Sequence, residues 1–384
     1  MKKVGIITLN GYFNYGNRLQ NFALQEVIKD LGFHVETIIV AHDKEIVDNK
    51  TNRNIYNIFI RNNGDIKVLM SKLRKKIWTY TKRNEIKESM YMRNEIFKEF
   101  TLNNINETKF TITNNRIPNN LSNTYDFFVT GSDQVWNPSY NCESSIYFLT
   151  FTEKYKRIAY AASFGISEIK PKYVESYGKW ISQINHLSVR EEEAAKIIKE
   201  LTGRDAFVLL DPTMLKSREE WLTISNEAPN KPKNKYLLTY FLGGIPTSYK
   251  NQIRNIAKRY KLDVINMGDI RDKDTYRTGP REFIDYINSC NLFCTDSFHG
   301  MVFSIIFEKP FISFERVGSD SMFSRINTLL NKFNLNSRKV ENILWDKNIF
   351  DVDYSHVPKI LESEKIKSIE FLKNALKTKE EKIR

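Results

Sequence analysis

Cysteine is scarce in this 384-residue chain: only Cys142, Cys290 and Cys294 occur, too few for a disulfide framework and in keeping with a reducing compartment. Cys290 and Cys294 stand four apart with no other clustered cysteine and no histidine beside them, so a zinc site is not indicated and no metal is implied. Long apolar runs are missing too. The opening MKKVGIITLN has only about five apolar residues before Asn10, short of a signal-peptide core or a membrane span, and reads as a first strand. No low-complexity tract or repeat appears, no GxGxxG or Walker pattern, and no helix-turn-helix, RNP or zinc-finger pattern. Acidic residues are in deficit, 46 Asp and Glu against 59 Lys and Arg, for a net charge of +13. That excess favours an anionic partner: a phosphorylated substrate, an anionic membrane surface or a nucleic acid.

The chain has 41% hydrophobic and 13% aromatic residues, enough for two packed domains of ordinary size. Residues 291–310, NLFCTDSFHGMVFSIIFEKP, show the organising pattern. Four mostly apolar residues, 292–295, suit a buried parallel strand, and Asp296 to Gly300 break the run as a loop. From Met301 apolar residues recur at helical spacing until Lys309 and Pro310, and 311–314 reads as the next strand. Such a βαβ unit places ligands at the carboxyl end of the strand, where a helix N-terminus offers N–H groups to an anion. Ser297, His299 and Gly300 stand at that position.

The same rhythm runs through the rest. Residues 4–9 read as a strand, 17–31 as a helix and 34–40 as a second strand, a Rossmann-like opening. Its loop, NYGNRLQ, puts Asn17 near the helix N-cap and Arg18 in the first turn, a poor place for a cation unless it meets a ligand. Residues 43–100 depart from the rhythm as a helical insertion. Within it, 66–83 holds seven Lys or Arg and no acid, a pattern that suits either a basic amphipathic helix on an anionic membrane or a solvated surface helix. Residues 126–131 form a strand, followed by Ser132 to Pro138. There Asp133, Gln134, Asn137 and Trp136 supply the carboxylate, amides and aromatic plane that a sugar would need, or else a cap and a core residue. Arg190 ends a strand at 186–190, where a guanidinium can fork onto a carboxylate or phosphate. A strand at 206–210 closes with Asp211 and Pro212. Residues 226–235 form a linker, and a second α/β rhythm follows from 236, including a helix at 322–333 with Ser324 and Arg325 in its first turn. The last part, from 357, reads as a polar helix.

Four segments together, NYGNRLQ, GSDQVWNP, SVRE with the later LLDP, and TDSFHG, resemble the polysaccharide pyruvyl transferase family over residues 1 to about 335. The resemblance implies an α/β fold of two Rossmann-like domains in a glycosyltransferase-B-like arrangement. It divides the chain into an acceptor-side domain at 1–225, a donor-side domain at 236–345 and a C-terminal helical tail at 346–384. It implies transfer of a pyruvyl group from phosphoenolpyruvate onto two hydroxyls of a sugar, giving a cyclic ketal on a cell-surface polysaccharide or its lipid-linked precursor. Phosphoenolpyruvate is a co-substrate, and no cofactor is required. The enzyme is expected in the cytoplasm, or peripherally at the inner face of the membrane.

Residue by residue, the resemblance makes Arg190 and His299 donor-binding, with Ser297 and Gly300 beside them and His299 also the catalytic acid. Many members have Arg then Leu before the histidine, where this chain has Ser297 and Phe298, and Arg325 is the expected replacement for the missing guanidinium. Asp133 is the expected base, with Asn17, Arg18, Gln134 and Trp136 on the acceptor. A nucleotide-sugar glycosyltransferase of the same fold is the alternative, since fold alone does not select between the two.

Overall fold

The computed structural model describes residues 1–41, 81–141, 144–317, 324–345 and 348–377. Nearly all of the basic run at 66–83 lies outside the described residues, as does Cys142.

Two parallel sheets organise the chain. The first has seven strands in the order β3-β2-β1-β4-β5-β6-β7: β1 (Lys3–Ile7), β2 (His34–Val40), β3 (Glu107–Ile112), β4 (Phe127–Thr130), β5 (Arg157–Ala162), β6 (His186–Val189) and β7 (Phe207–Val208). Strands β4 and β5 are buried along their whole length, as expected for parallel strands covered on both faces. The second sheet has four strands, ordered β11-β10-β8-β9: β8 (Tyr236–Tyr240), β9 (Asp263–Met267), β10 (Leu292–Thr295) and β11 (Phe311–Ser313). These two parallel sheets are the two expected Rossmann-like units.

In both sheets the order reverses beside the first strand, β1 next to β4 and β8 next to β10. Such switch points open a crevice at the carboxyl ends of the strands. Four helices matter there: α1 (Tyr15–Asp30) after β1, α2 (Arg83–Asn104) from the insertion, α3 (Glu192–Thr202) after β6 and α4 (Phe298–Ile306) after β10. The α4 helix starts three residues before the expected Met301, because Ser297 caps it by accepting a hydrogen bond from Gly300 N–H at 3.2 Å. His299 therefore sits in the first helical turn instead of a loop.

One apolar cluster crosses between the domains, joining Tyr15, Phe22 and Phe97 to Trp221, Phe283, Phe298 and Phe303. Tyr15 stacks on Phe283 with ring centroids 4.4 Å apart. Arg93 of α2 reinforces this seam, donating from Nη1 to Tyr15 Oη and the Tyr276 carbonyl at 2.7 and 2.6 Å and from Nη2 to the Phe13 carbonyl.

The helix expected from residue 357 is present. Helix α6 (Val357–Ala375), numbered after α5 (Ser324–Lys332), returns to the first domain. Its Leu372 and Ala375, with Leu376 beyond it, pack against Val4, Ile6, Leu24 and Val129. Ser368 Oγ accepts from Leu210 N–H. The helix looks polar in sequence because only one narrow stripe is apolar, and beside that stripe Phe371 meets the rings of Tyr160, His186 and Phe207, toward the β5–β7 side of the sheet.

Candidate functional site

The carboxyl ends of β1, β4, β6 and β10 bring Gly16, Asp133, Arg190 and His299 to one junction between the domains. Asp211, following β7, joins them and is its hub. Its Oδ1 accepts Thr213 N–H and Oγ–H at 3.0 and 2.6 Å. Its Oδ2 accepts Arg190 Nη1 at 2.6 Å and Ser132 Oγ at 3.1 Å, and faces His299 Nε2 at 3.4 Å. Arg190 Nη2 also reaches Asp133 Oδ1 at 3.3 Å. The guanidinium lies 4.1 Å from the Phe298 ring centroid, with Arg325 over the same ring at 5.9 Å.

The electrostatics follow from this packing. Burial alone would raise the Asp211 carboxyl, but His299, Arg190 and Thr213 outweigh it and hold the group far below the usual carboxylate range. Asp133 shows the same balance, with burial opposed by Arg190, His299 and Arg325 and a net downward shift. For Arg190, burial is outweighed by Asp211, Asp133 and Glu191, and its value rises. Arg325 goes the other way: burial first, then the charges of Arg190 and Arg316, push it down to about 10. Buried guanidiniums that repel one another are relieved by an anion.

The polar groups here are incompletely satisfied. Arg190 Nε, His299 Nε2, Glu191 Oε2 and Ser324 Oγ are enclosed without a hydrogen-bond partner among the described residues. Glu191 joins Arg190 to α3, and α5 packs on α3, where Thr328 Oγ accepts from Glu192 N–H. Buried polar atoms are rarely left unpaired, so several at one junction call for partners from water or a ligand.

Two glycines are required by close approach. A Cβ on Gly16 would stand 2.1 Å from His299 Nδ1, so only glycine lets the start of α1 reach the imidazole. Gly131 has φ +117, and a Cβ there would meet the Tyr160 carbonyl at 2.1 Å. Beyond it Asp133 adopts φ 68, the left-handed region that costs a non-glycine residue about 1 kcal/mol or more.

The sequence-derived site is only partly assembled by the fold. Arg190, Asp133, His299 and Arg325 come together. Ser297 and Gly300 are adjacent but spend the Ser297 Oγ and Gly300 N–H on each other. A Cβ on Gly300 would also stand 2.9 Å from Phe293, so that glycine serves helix-to-strand packing.

The expected acceptor set is corrected. Trp136 is fully enclosed, stacked on Phe148 at 5.5 Å, and its Nε1 donates to the Tyr147 carbonyl; it is core and offers no face to a sugar. Arg18 is fully buried, paired with Glu107 at 2.9 Å and bonded to the Leu9 carbonyl and Asn17 Oδ1, so its cation is answered inside the first domain. Asn17 is spent on that arginine. Gln134 lies against Gly165, where a Cβ would be 1.7 Å from its Nε2, and Asn137 Oδ1 accepts from Ser139 N–H.

Asp211, Gly16 and Arg316 carry roles that sequence reasoning missed. Arg316 lies 3.5 Å from the Asp296 carboxylate, which also accepts Leu242 and Gly243 N–H. The signal for Asp211 was the LLDP segment, where an acid ends a strand.

Among the described residues no cluster of metal-ligating side chains occurs, and no helix is long and apolar enough to cross a membrane. The Cys290 thiol is buried, which pushes it up to about 12.

A family model described as polysaccharide pyruvyl transferase matches residues 14–316. No curated protein matches the chain. Similar solved structures include a protein assigned as a UDP-N-acetylglucosamine 2-epimerase from Listeria monocytogenes, 11% identical over 86% of this chain and 88% of that one, with a TM-score of 0.48. Another is the glycosyltransferase SnogD from Streptomyces nogalater, 10% identical over 98% and 99% of the two chains, with a TM-score of 0.39.

Proposed function

Because the chain belongs to the polysaccharide pyruvyl transferase family, we propose that it moves a pyruvyl group from phosphoenolpyruvate onto two hydroxyls of a sugar in a cell-surface polysaccharide or its lipid-linked precursor. The observation that supports this most is the junction of Arg190, Arg325 and His299 with Asp133 and Asp211, where mutually repelling guanidiniums meet enclosed polar atoms without partners.

Phosphoenolpyruvate carries a carboxylate and a phosphate, and the guanidiniums with the N-terminus of α4 answer those charges. In the proposed reaction, imidazolium at His299 gives its proton to C3 and makes C2 electrophilic. A first sugar hydroxyl adds to C2 as Asp133 takes its proton. Phosphate leaves, and the second hydroxyl closes the ketal with loss of its own proton.

Phosphoenolpyruvate at about 100 times its dissociation constant is expected to add roughly 2.7 kcal/mol to stability. Arg190→Lys should weaken that shift, since an ammonium does not reproduce the fork, and Arg325→Met should weaken it as well. A larger thermal shift with nucleotide sugars, and none with phosphoenolpyruvate, would assign the site to glycosyl transfer instead.

A further inference from the structure

Asp211 and His299 belong to different domains, yet they face each other at 3.4 Å. The carboxylate does not depend on the imidazole for its position, since Thr213, Arg190 and Ser132 fix both oxygens. It therefore presents a pre-set acceptor to whichever ring nitrogen the second domain brings. That nitrogen is Nε2, which is enclosed and has no other partner among the described residues. Nδ1 borders the first turn of α1 at Gly16, where a Cβ would stand 2.1 Å from it, so the ring packs closely on the backbone of the first domain. The two carboxylates acting on the ring are Asp211 and Asp133, and only Asp211 approaches within ion-pair distance.

We propose that Asp211 is a positioning residue that holds the His299 proton on Nε2, making Nδ1 the nitrogen that exchanges a proton with the substrate. A carboxylate facing one imidazole nitrogen favours the tautomer with N–H on that side and supports the imidazolium once it forms. The contact is long for a hydrogen bond in the free protein, and such contacts tighten when substrate binds.

Resting on the pyruvyl-transfer reading, the step is specific. The Nδ1–H bond of imidazolium breaks as the C2=C3 electron pair of phosphoenolpyruvate takes the proton at C3, and the ring returns to its neutral Nε2–H form. The acid is thus complete only where the two domains meet.

The test is nitrogen NMR on the full chain with 15N-labelled histidine, free of ligand, at a pH alkaline enough for neutral rings. The His299 signals are identified by their loss in His299→Asn. Wild type is expected to show the Nε2–H tautomer, and Asp211→Ala a mixture of both forms. If Asp211→Ala does not fold, Asp211→Asn serves, with an expected decrease in proton uptake when phosphoenolpyruvate binds. A wild-type ring protonated on Nδ1, or a tautomer unchanged in a folded Asp211→Ala variant, overturns the assignment. The tautomer is read without ligand, so its outcome stands apart from the donor assignment; a missing thermal shift with phosphoenolpyruvate counts against the donor alone.

Discussion

Asp211 links the chemistry of the junction to the stability of the chain. Its folded-state value is depressed, as is that of Asp133. A depressed carboxylate contributes stability that is present above the unfolded value of about 3.9 and is lost as pH falls through the folded value. Removing one partner of a buried pair costs about 3–5 kcal/mol. Asp211→Asn should therefore lose that much near neutral pH and show a flatter decline below about pH 4, as urea titrations across the acid range would record. An acid limb identical to wild type would show that the carboxylate adds nothing to folding. The residues misread from sequence share a cause with this one. Trp136 stands in a strand-to-helix loop and Arg18 in the first turn of α1, the places where ligands bind, but whether a side chain turns to the crevice or to the core depends on partners such as Phe148 and Glu107 that lie far off in the chain. Asp211 had the opposite fate, since its local pattern fits a simple cap and its importance arises only where β7, β6 and α4 converge.

Among the elements, α2 makes the least predictable contribution. Its interior was legible as helix from spacing, but its function as a strap between domains was not, because Arg93 looks like one more basic residue in a basic region. Rings of Tyr15, Phe97 and Tyr276 surround the guanidinium at 4.5, 4.8 and 5.0 Å. Replacing it with Met would strand the Phe13 and Tyr276 carbonyls, at about 1–3 kcal/mol for each group left unpaired. Hydrogen exchange should then accelerate around residues 273–278 while β1 stays protected. Equal protection in both proteins would show that the seam is held by the aromatic cluster alone. The βα alternation itself was read well: β2 and β10 match the expected bounds, because continuous apolar runs between turn residues admit few other structures. The edge strand β3 was missed, since three of its six residues are exposed and its pattern is too polar to announce a strand.

For the whole molecule, the charge of +13 still calls for an anionic counterpart. We propose peripheral attachment to an anionic leaflet, each basic residue near such a surface contributing about 1 kcal/mol. Sedimentation with anionic vesicles should exceed that with neutral ones at low salt and fall as salt rises; equal sedimentation with both would remove the membrane from the list of partners.

The return of α6 to the first domain has a further consequence, for the order in which the protein is made. Leu372, Ala375 and Leu376 complete the cluster that also holds Val4, Ile6, Leu24 and Ile158, so a ribosome has to release nearly the whole chain before that cluster is closed. Domains usually fold as units while synthesis proceeds, but here the earlier domain waits for the later one. The nascent chain carries an incompletely closed apolar cluster throughout that wait and is a natural client for a holding chaperone. A chain ended after residue 356 should reproduce that state permanently, remaining aggregation-prone, and a synthetic 357–377 peptide added in trans should restore its solubility. A truncated protein that stays monomeric without the peptide would mean that the first domain closes its own core.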